Sequence, residues 1–265
     1  MKVYISADIE GTAGITTWDE ATKTHAFYPE HRRQMTQEVL AACRGAQAAG
    51  ASELLIKDAH DTGTNILQEE LPDCARLIRG WSGHPFAMVQ DIDASFDAAV
   101  FVGYHSRAGA EGNPLAHTMA LEAQRMRLNG QPCSEWLLHA TACATVGVPV
   151  VFVSGDRGLC DDIAALNPAT RTLAVSAGRG PSSTSLAPAA ACRLIEQGVA
   201  AALAGDRAAA LMPLAPRYVL EIEFNNPISA YRAQWYPGAR HQGDRLVRFE
   251  AEDFFDILRA LRSVL

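Results

Sequence analysis

Carboxylate and imidazole side chains stand directly after several short apolar runs of this sequence. Asp8 and Glu10 follow the run VYIS, His60 follows LLI, and His105 follows VFVGY. Two carboxylates as close as Asp8 and Glu10 repel each other strongly unless a cation lies between them. Carboxylate and imidazole ligands together suit zinc or manganese. Glu135 opens a predicted helix and is a further candidate ligand, so these five residues predict a metal site.

The apolar runs are typical of buried β-strands that alternate with helices. We predict strands over 3–6, 53–57, 98–102 and 149–153, and helices over 30–49 and 134–146. Such alternation favours an α/β fold with a largely parallel sheet and flanking helices. Ligands of open parallel sheets bind beyond the carboxyl ends of the strands. We therefore expect the candidate ligands to meet at one edge of the sheet, although they are distant in sequence.

The last third of the chain shows a different pattern. A Gly-, Ser- and Pro-rich stretch over 178–188 predicts a loop, and an Ala-rich helix over 188–203 follows it. A strand is predicted over 218–224, and the tail over 251–265 has the spacing of an amphipathic helix. We expect a metal-binding catalytic α/β domain over 1–185 and a smaller C-terminal α+β lobe over 186–265, with a single compact unit as the alternative.

The residue types of the predicted site point to hydrolysis. One aspartate that bridges two ions, with a His and a Glu on each side, would make a two-metal site that acidifies a water and stabilises an oxyanion. His117 lies in a Gly- and Pro-containing loop after His105 and is a candidate general acid or base, nucleophile or further ligand. A structural loop histidine is the alternative. The SGDR segment over 154–157 either positions substrate or forms a turn.

Composition narrows the class of protein. The chain has 265 residues, 48% of them hydrophobic, and a formal net charge of -7, which argues against nucleic acids and anionic membranes as partners. The first residues lack the pattern of a signal peptide, and no run approaches the roughly 18 apolar residues that span a bilayer. We expect a cytoplasmic protein. The six cysteines form no CxxC pair, so we expect them to be reduced.

Several motifs together resemble one enzyme family. They are SADIEG near the N-terminus, KDAH at 57–60, GYHSRAG at 103–109, AHTM at 116–119, Glu135 in CSEW, SGDR at 154–157 and the late YVLEIEF. In order and spacing they are similar to the zinc-dependent D-aminopeptidase family typified by the enzyme of the bacterial dipeptide-transport operon. The resemblance covers nearly the whole chain.

The resemblance implies an activity and a set of roles. It implies an aminopeptidase with two zinc ions per subunit, acting on short peptides with an N-terminal D-residue such as D-Ala-D-Ala. Asp8 would be the bridging ligand, with Glu10, His60, His105 and Glu135 as the other ligands, and His117 would be the catalytic histidine. It also implies a homodecamer of two stacked pentameric rings around an inner chamber.

Some positions depart from the family's pattern. His117 is flanked by Ala and Thr, where the typical member has serines, and the loop between His105 and His117 is one residue longer. Thr12 and Trp18 also differ in the loop after the first strand. Loops commonly set specificity, so related binuclear metallohydrolases acting on other small peptides, amides or phosphoesters are alternatives. A metal- or peptide-binding protein without catalysis is a third.

Overall fold

The computed structural model describes residues 1–265. Its larger sheet has seven strands. The strands, numbered along the chain, are β1 (Lys2–Ala7), β2 (Glu53–Asp58), β3 (Ala75–Ile78), β4 (Ala98–Tyr104), β5 (Ala123–Leu128), β6 (Gln131–Pro132), β7 (Val150–Asp156), β8 (Arg171–Arg179), β9 (Ser182–Ser185), β10 (Tyr218–Phe224), β11 (Arg240–His241) and β12 (Leu246–Ala251). The helices are α1 (Trp18–Ala21), α2 (Tyr28–Ala48), α3 (Glu135–Thr145), α4 (Arg157–Leu166), α5 (Pro188–Ala204), α6 (Pro227–Ala233) and α7 (Phe254–Val264).

The main sheet has the order β3-β2-β1-β4-β7-β8-β9. All neighbouring pairs are parallel except β8 and β9. Its two faces bury different residues because side chains alternate along each strand. From β1, Val3 and Ile5 join a core that includes α2 and α5, whereas Tyr4 joins a core that includes α3, α7 and the second sheet. The parallel α/β fold predicted from the sequence is confirmed.

The predicted strands and helices of the first 153 residues all form, with ends that shift by a few residues. The shifts lengthen the strands at their carboxyl ends. β4 continues to Tyr104 and β7 continues to Asp156, so both strands extend into the motifs that follow the apolar runs. Polar residues can continue a strand here because backbone pairing, and not side-chain apolarity, holds the last residues.

The predicted loop over 178–188 is wrong. Its first two residues, Gly178 and Arg179, end β8, and its serines lie in β9, which pairs antiparallel with β8 from Ser176 and Ser185 to Arg179 and Ser182. The turn contains Gly180, whose φ of 57° is readily available to glycine. β9 is an edge strand whose side chains are mostly exposed, so it carries no apolar alternation that would reveal it in the sequence.

The second sheet does not follow the boundary expected at residue 185. Its order is β11-β12-β10-β5-β6, so β5 and β6 come from the part of the chain assigned to the catalytic domain. Conversely, α5 packs against α2 and the main sheet, although it lies after residue 185. Antiparallel pairing of β10 with β5 joins segments far apart in the chain, and local periodicity does not register such pairing.

The cysteines are all free, as expected, and four of the six are buried. None of the helices combines the length and the apolar character that crossing a bilayer requires.

Candidate metal centre

Three adjacent strands bring the candidate ligands to one edge of the main sheet. β1 lies between β2 and β4, and it is followed by Asp8 and Glu10. The loop after β2 carries His60, and His105 comes directly after β4. Hydrogen bonds continue past the strand ends, from the amide of Asp8 to the carbonyl of Val102 over 2.9 Å. The convergence expected from the sequence is present in the structure.

Two glycines allow the loop after β1 to lie against the end of β4. The amide of Gly11 donates to the carbonyl of Gly103 over 2.9 Å. A Cβ at Gly11 would lie 1.7 Å from the carbonyl oxygen of Tyr104, and one at Gly103 would lie 2.3 Å from that of Asp8. Gly103 also has a φ of 71°. Any side chain at either position would push the two ligand-bearing segments apart.

One cluster of possible ligand atoms is formed by Asp8, Glu10 and His60. His60 Nδ1 lies 3.3 Å from Asp8 Oδ1 and 3.1 Å from Glu10 Oε2. All three residues are buried. Their nearest ligand atoms lie within 4.8 Å of one another, so one ion can contact all three.

A second cluster is formed by Asp8, His105 and Glu135. His105 Nε2 lies 3.4 Å from Asp8 Oδ2 and 3.4 Å from Glu135 Oε2. Glu135 is the first residue of α3, where Ser134 caps the helix by accepting from the amide of Leu137. Asp8 therefore belongs to both clusters, with Oδ1 directed to the first and Oδ2 to the second.

The imidazoles are oriented by backbone carbonyls. His60 Nε2 lies 2.8 Å from the carbonyl oxygen of Ala21, and His105 Nδ1 lies 2.9 Å from that of Ser106. Each of these nitrogens donates to a carbonyl, which leaves the other ring nitrogen with a lone pair toward the carboxylates. Ligating histidines characteristically have such an arrangement, because the outer hydrogen bond fixes the tautomer.

Two buried polar atoms of the centre have no hydrogen-bond partner. They are Glu10 Oε2 and His105 Nε2, one in each cluster. A buried polar atom without a partner costs about 1–3 kcal/mol, and more when it is charged. A divalent cation in each cluster would bind these atoms, so the residues present fit a pair of metal ions. The mixed carboxylate and imidazole donors suit zinc.

The ionisation of the centre reflects opposing effects of burial and charge. Burial raises the pKa of Asp8, and the neighbouring Glu10 raises it further. Burial also raises the pKa of Glu10 and Glu135, but the facing imidazoles, chiefly His60 and His105 respectively, outweigh it and lower both values, for Glu135 to about 2. Ionised carboxylates this deeply buried require positive charge between them.

Asp58 is the last residue of β2 and lies near the candidate ligands, but its carboxylate holds the loop that carries His60. It accepts from the amide of Asn65 over 2.5 Å and from that of Ile66 over 2.8 Å. The side chain of Asn65 donates to Asp58 and to the carbonyl of His60, over 2.7 Å in each case. Asp58 therefore positions a candidate ligand and is not one itself.

Asp156 has the same kind of role for His105. It accepts from the amide of Ser106 over 2.6 Å, and its other oxygen caps α4 through the amide of Leu159. The carbonyl of Ser106 orients His105, so Asp156, which holds Ser106, positions this candidate ligand indirectly. In the SGDR segment, Asp156 is thus a buried residue at the junction of β7 and α4 rather than a substrate contact.

His117 lies beside the second cluster and borders the cavity. Its ring stacks on that of His105 with centroids 4.4 Å apart, and its Nε2 lies 3.6 Å from Glu135 Oε1. The carbonyl of Leu115 lies 2.9 Å from Nδ1 and orients the ring. The nearest atoms of Glu10, His105 and His117 also lie within 4.8 Å of one another, so the ligating alternative for His117 is geometrically possible. Its half-buried position on the cavity wall suits contact with a substrate.

A cavity of about 580 Å³ opens over the centre. Trp18 and Trp81 form part of its wall, each with 37% of its surface exposed, and the Trp18 ring lies 5.5 Å from that of His117. The wall also includes Met119 from the loop after His117 and Arg262 from α7. In the sequence, Trp18 stands out only as a departure from the family pattern and Met119 only as the last residue of the AHTM motif, whereas Trp81 and Arg262 belong to no motif.

Backbone strain is concentrated at this cavity. Of the five non-glycine residues with positive φ, three line it: Asp61 at 43°, Ala87 at 41° and Met119 at 64°. Such conformations cost about 1–3 kcal/mol and persist where the surroundings impose them. At Met119 the backbone amide donates to Glu135 Oε1 over 2.7 Å, so the strained residue helps to orient a candidate ligand.

The chain is similar to known proteins over almost its whole length. The model of the D-aminopeptidase family, peptidase M55, matches residues 1–263. A D-aminopeptidase of Bacillus subtilis (strain 168) is 34% identical over 265 residues, which cover 98% of this chain and 95% of the relative. The solved structure of the Zn-dependent D-aminopeptidase DppA from Bacillus subtilis, described as a self-compartmentalizing protease, superposes with a TM-score of 0.93 at 31% identity, over 100% of this chain and 96% of that one.

A family match over almost the full length, together with a relative above 30% identity, shows the family directly. The candidate ligands, the cavity and the parallel sheet lie within the matched region. The chain belongs to the D-aminopeptidase family, peptidase M55, and is a hydrolase that acts on peptide bonds.

Proposed function

We propose that this chain is a zinc-dependent aminopeptidase that removes the N-terminal D-residue from short peptides such as D-Ala-D-Ala. The similar Bacillus subtilis structure is that of a Zn-dependent D-aminopeptidase, which supports both the metal and the substrate class. We further propose two zinc ions per subunit. One would be held by Asp8, Glu10 and His60, and the other by Asp8, His105 and Glu135.

The position of Asp8 is the observation that carries the proposal. Its two carboxylate oxygens face different clusters, at 3.3 Å from His60 Nδ1 and 3.4 Å from His105 Nε2. A single carboxylate between two sets of donors is the arrangement that a bridging ligand requires. A single-metal site would leave one cluster, with its unpartnered buried atom, without a cation.

The chemistry follows from where the donors lie. When bound, zinc ions supply Lewis-acid chemistry that polarises a carbonyl and acidifies a water. His117 lies beside His105 and Glu135 on the cavity wall, with Nδ1 held by the carbonyl of Leu115. Its Nε2 either donates a hydrogen bond to the developing oxyanion or delivers a proton to the leaving amine. Trp18 packs against the imidazole and limits its movement.

Assembly belongs to the same proposal. The Bacillus subtilis relative is a self-compartmentalizing protease, which supports an oligomer that restricts access to its active sites. The homodecamer of two pentameric rings, implied by the family resemblance, stays a prediction. The cytoplasmic location expected from the N-terminal residues also stays a prediction.

Zinc content and substrate preference test the proposal together. We expect purified protein to contain two zinc ions per chain and to hydrolyse D-Ala-D-Ala faster than L-Ala-L-Ala, with no hydrolysis of p-nitrophenyl phosphate. Asp8→Asn should lose most of its zinc and its activity, because an amide offers one neutral oxygen in place of the two charged oxygens that the clusters share. Elemental analysis and a ninhydrin assay give the two measurements.

His241→Ala serves as the matched control, because His241 is an exposed residue of the second sheet that does not line the cavity. It should keep full zinc content and full activity. Fewer than two zinc ions in the reconstituted wild-type protein would contradict the two-metal site. Equal rates with D- and L-dipeptides would contradict the proposed substrate class.

A further inference from the structure

Arg262 is a solitary cation in the wall of an acidic cavity. Of the residues that line the cavity over the metal centre, it is the one Arg or Lys, whereas Asp8, Glu10, Asp61 and Glu135 contribute carboxylates. The side chain of Arg262 is exposed to solvent and has no carboxylate within ion-pair distance. By contrast, Arg259, about one turn earlier on α7, pairs with Asp256 over 2.6 Å.

The helix that carries Arg262 is firmly placed. α7 begins at Phe254, and Asp253 caps it by accepting from the amide of Phe255. Leu258 and Leu261 are buried in the core that also contains residues of α3 and the second sheet. The backbone beneath Arg262 is therefore fixed relative to Glu135, the first residue of α3, while the guanidinium itself stays free to bind.

Arg262 also stands where the main cavity joins a smaller apolar hollow of about 100 Å³. The two spaces share four wall residues, namely Ala87, Met119, Ala120 and Arg262. The hollow is otherwise lined mostly by apolar side chains, including Leu258 and Leu261. Its size suits a small side chain such as the methyl group of alanine.

These features match the far end of a short peptide. An extended residue spans about 3.5 Å, so two or three residues span about 7–10 Å, comparable to the diameter of a sphere with the volume of the cavity, about 580 Å³. A peptide whose N-terminal residue reacts at the metal centre then places its C-terminal carboxylate at another part of the same cavity wall, to which Arg262 contributes. The guanidinium group matches a carboxylate with paired hydrogen bonds, and the neighbouring acidic residues would otherwise repel that carboxylate.

We propose that Arg262 binds the free C-terminal carboxylate of the substrate and so restricts the enzyme to dipeptides and tripeptides with an unblocked C-terminus. The proposal rests on the aminopeptidase function proposed above. In this proposal α7, which carries no motif of the metal site, selects the length and charge of the substrate. The apolar hollow then takes the side chain next to that carboxylate.

Kinetics with a matched pair of substrates test this role. The pair is D-Ala-D-Ala and its C-terminal amide, which differ only in the carboxylate. We expect the wild-type enzyme to have a lower KM for the free acid. Arg262→Met, which keeps most of the apolar stem of the side chain but removes the guanidinium group, should raise the KM for the free acid about 10–50-fold, as loss of a hydrogen bond to a charged group implies. The amide should show no comparable rise, and kcat should change little for either substrate.

Two further variants separate charge recognition from damage to the helix. Arg262→Lys should have a KM for the free acid between those of the wild-type enzyme and Arg262→Met, because lysine restores the charge without the paired donors. Arg259→Met, on the same helix but outside the cavity, should behave as the wild-type enzyme. An Arg262→Met variant that loses activity on both substrates to the same extent would contradict carboxylate recognition.

The failure of this inference is distinguishable from the failure of the proposed function. Hydrolysis of the acid and the amide with equal KM, unchanged by Arg262→Met, would overturn the role of Arg262 while leaving an aminopeptidase. Hydrolysis of neither substrate by the zinc-loaded wild-type protein would overturn the aminopeptidase function, and this inference with it.

Discussion

At the scale of single residues, each imidazole of the centre is held by a backbone carbonyl at the ring nitrogen that faces away from the carboxylates. The outer nitrogen of His60 donates to a carbonyl, that of His105 does the same, and the carbonyl of Leu115 lies at the corresponding distance from His117. Two atoms that face the centre, Glu10 Oε2 and His105 Nε2, have no hydrogen-bond partner within the protein. Groups oriented in this way need little rearrangement when a ligand binds, which favours both affinity and rate.

His117 provides the prediction at this scale. His117→Ala should lower kcat by about 10²–10⁴-fold, the usual contribution of a positioned acid or base, while zinc content stays unchanged because the two clusters remain complete. His117→Gln keeps a hydrogen-bond donor without a transferable proton. Substantial recovery in His117→Gln would assign oxyanion stabilisation, and no recovery would assign proton delivery.

The measurements are steady-state kinetics with D-Ala-D-Ala and elemental analysis of each variant. His25→Ala is the control, because His25 is exposed and does not line the cavity. Near-normal turnover of His117→Ala would remove His117 from the reaction.

At the scale of elements, the loop after β1 is held from two sides. The amide of Ala13 donates to Glu38 Oε1 of α2 over 2.9 Å, and that of Gly14 donates to the Ser185 hydroxyl of β9 over 2.8 Å. This loop follows directly from Asp8 and Glu10. The hairpin of β8 and β9 and the long helix α2 therefore fix the segment that carries two candidate ligands.

Glu38 gives a pH-dependent prediction at this scale. Burial raises the pKa of its carboxyl group to about 7 from an ordinary value of 4.5, although Ala13 and Gln34 donate to it. The folded protein then binds more protons than the unfolded chain between these two values. The contribution of Glu38 to the free energy of unfolding therefore falls as the pH rises through 4.5 to 7, and the loss persists above 7.

Replacement by glutamine should remove this penalty. At pH 8 we expect Glu38→Gln to be more stable than the wild-type protein by about 3 kcal/mol, since each pKa unit corresponds to about 1.4 kcal/mol. Near pH 4.5 the advantage should largely disappear. Urea unfolding at the two pH values measures the difference, with Glu30→Gln, an exposed residue of the same helix, as the control. A constant difference at both pH values would contradict the raised pKa.

At the scale of the whole molecule, the cavity lies between the carboxyl edge of the main sheet and α7, the helix that packs against the second sheet. Its wall takes residues from the loops after β1, β2 and β4, and from α3 and α7. The candidate ligands lie at the carboxyl ends of three strands and at the start of α3, and their side chains converge. An ion bound there connects segments that are far apart in the sequence, so metal binding and global stability should be coupled.

Removal of the metal tests this coupling. A ligand that binds the folded state at a concentration 100–1,000 times its Kd adds about 3–4 kcal/mol, which for a protein of this size corresponds to roughly 5–15 °C in Tm. We therefore expect chelation to lower the Tm by roughly that amount, and added zinc to restore it. Calorimetry measures the change, and Asp8→Asn should respond weakly to either treatment. An unchanged Tm after loss of zinc would contradict the coupling.

The amino-acid sequence by itself determined the main strands, the helices between them and the convergence of the candidate ligands. These features depend on local patterns, because apolar runs form buried strands and the carboxyl ends of neighbouring parallel strands share one edge. The motifs around Asp8, His60 and His105 also carried the family resemblance that the comparisons confirm. The ligand roles assigned to these residues stay predictions.

Only the tertiary structure decided the rest, and in each case the reason is a contact between distant segments. The pairing of β5 with β10 connects segments from both sides of residue 185, where the boundary was expected. Asp58 and Asp156, which resemble ligands in the sequence, are committed to hydrogen bonds with loops. Trp81 and Arg262 enter the cavity because their elements fold against it. The donors of the centre follow strand ends and are visible in the sequence, whereas the rest of the cavity wall depends on packing that no local pattern records.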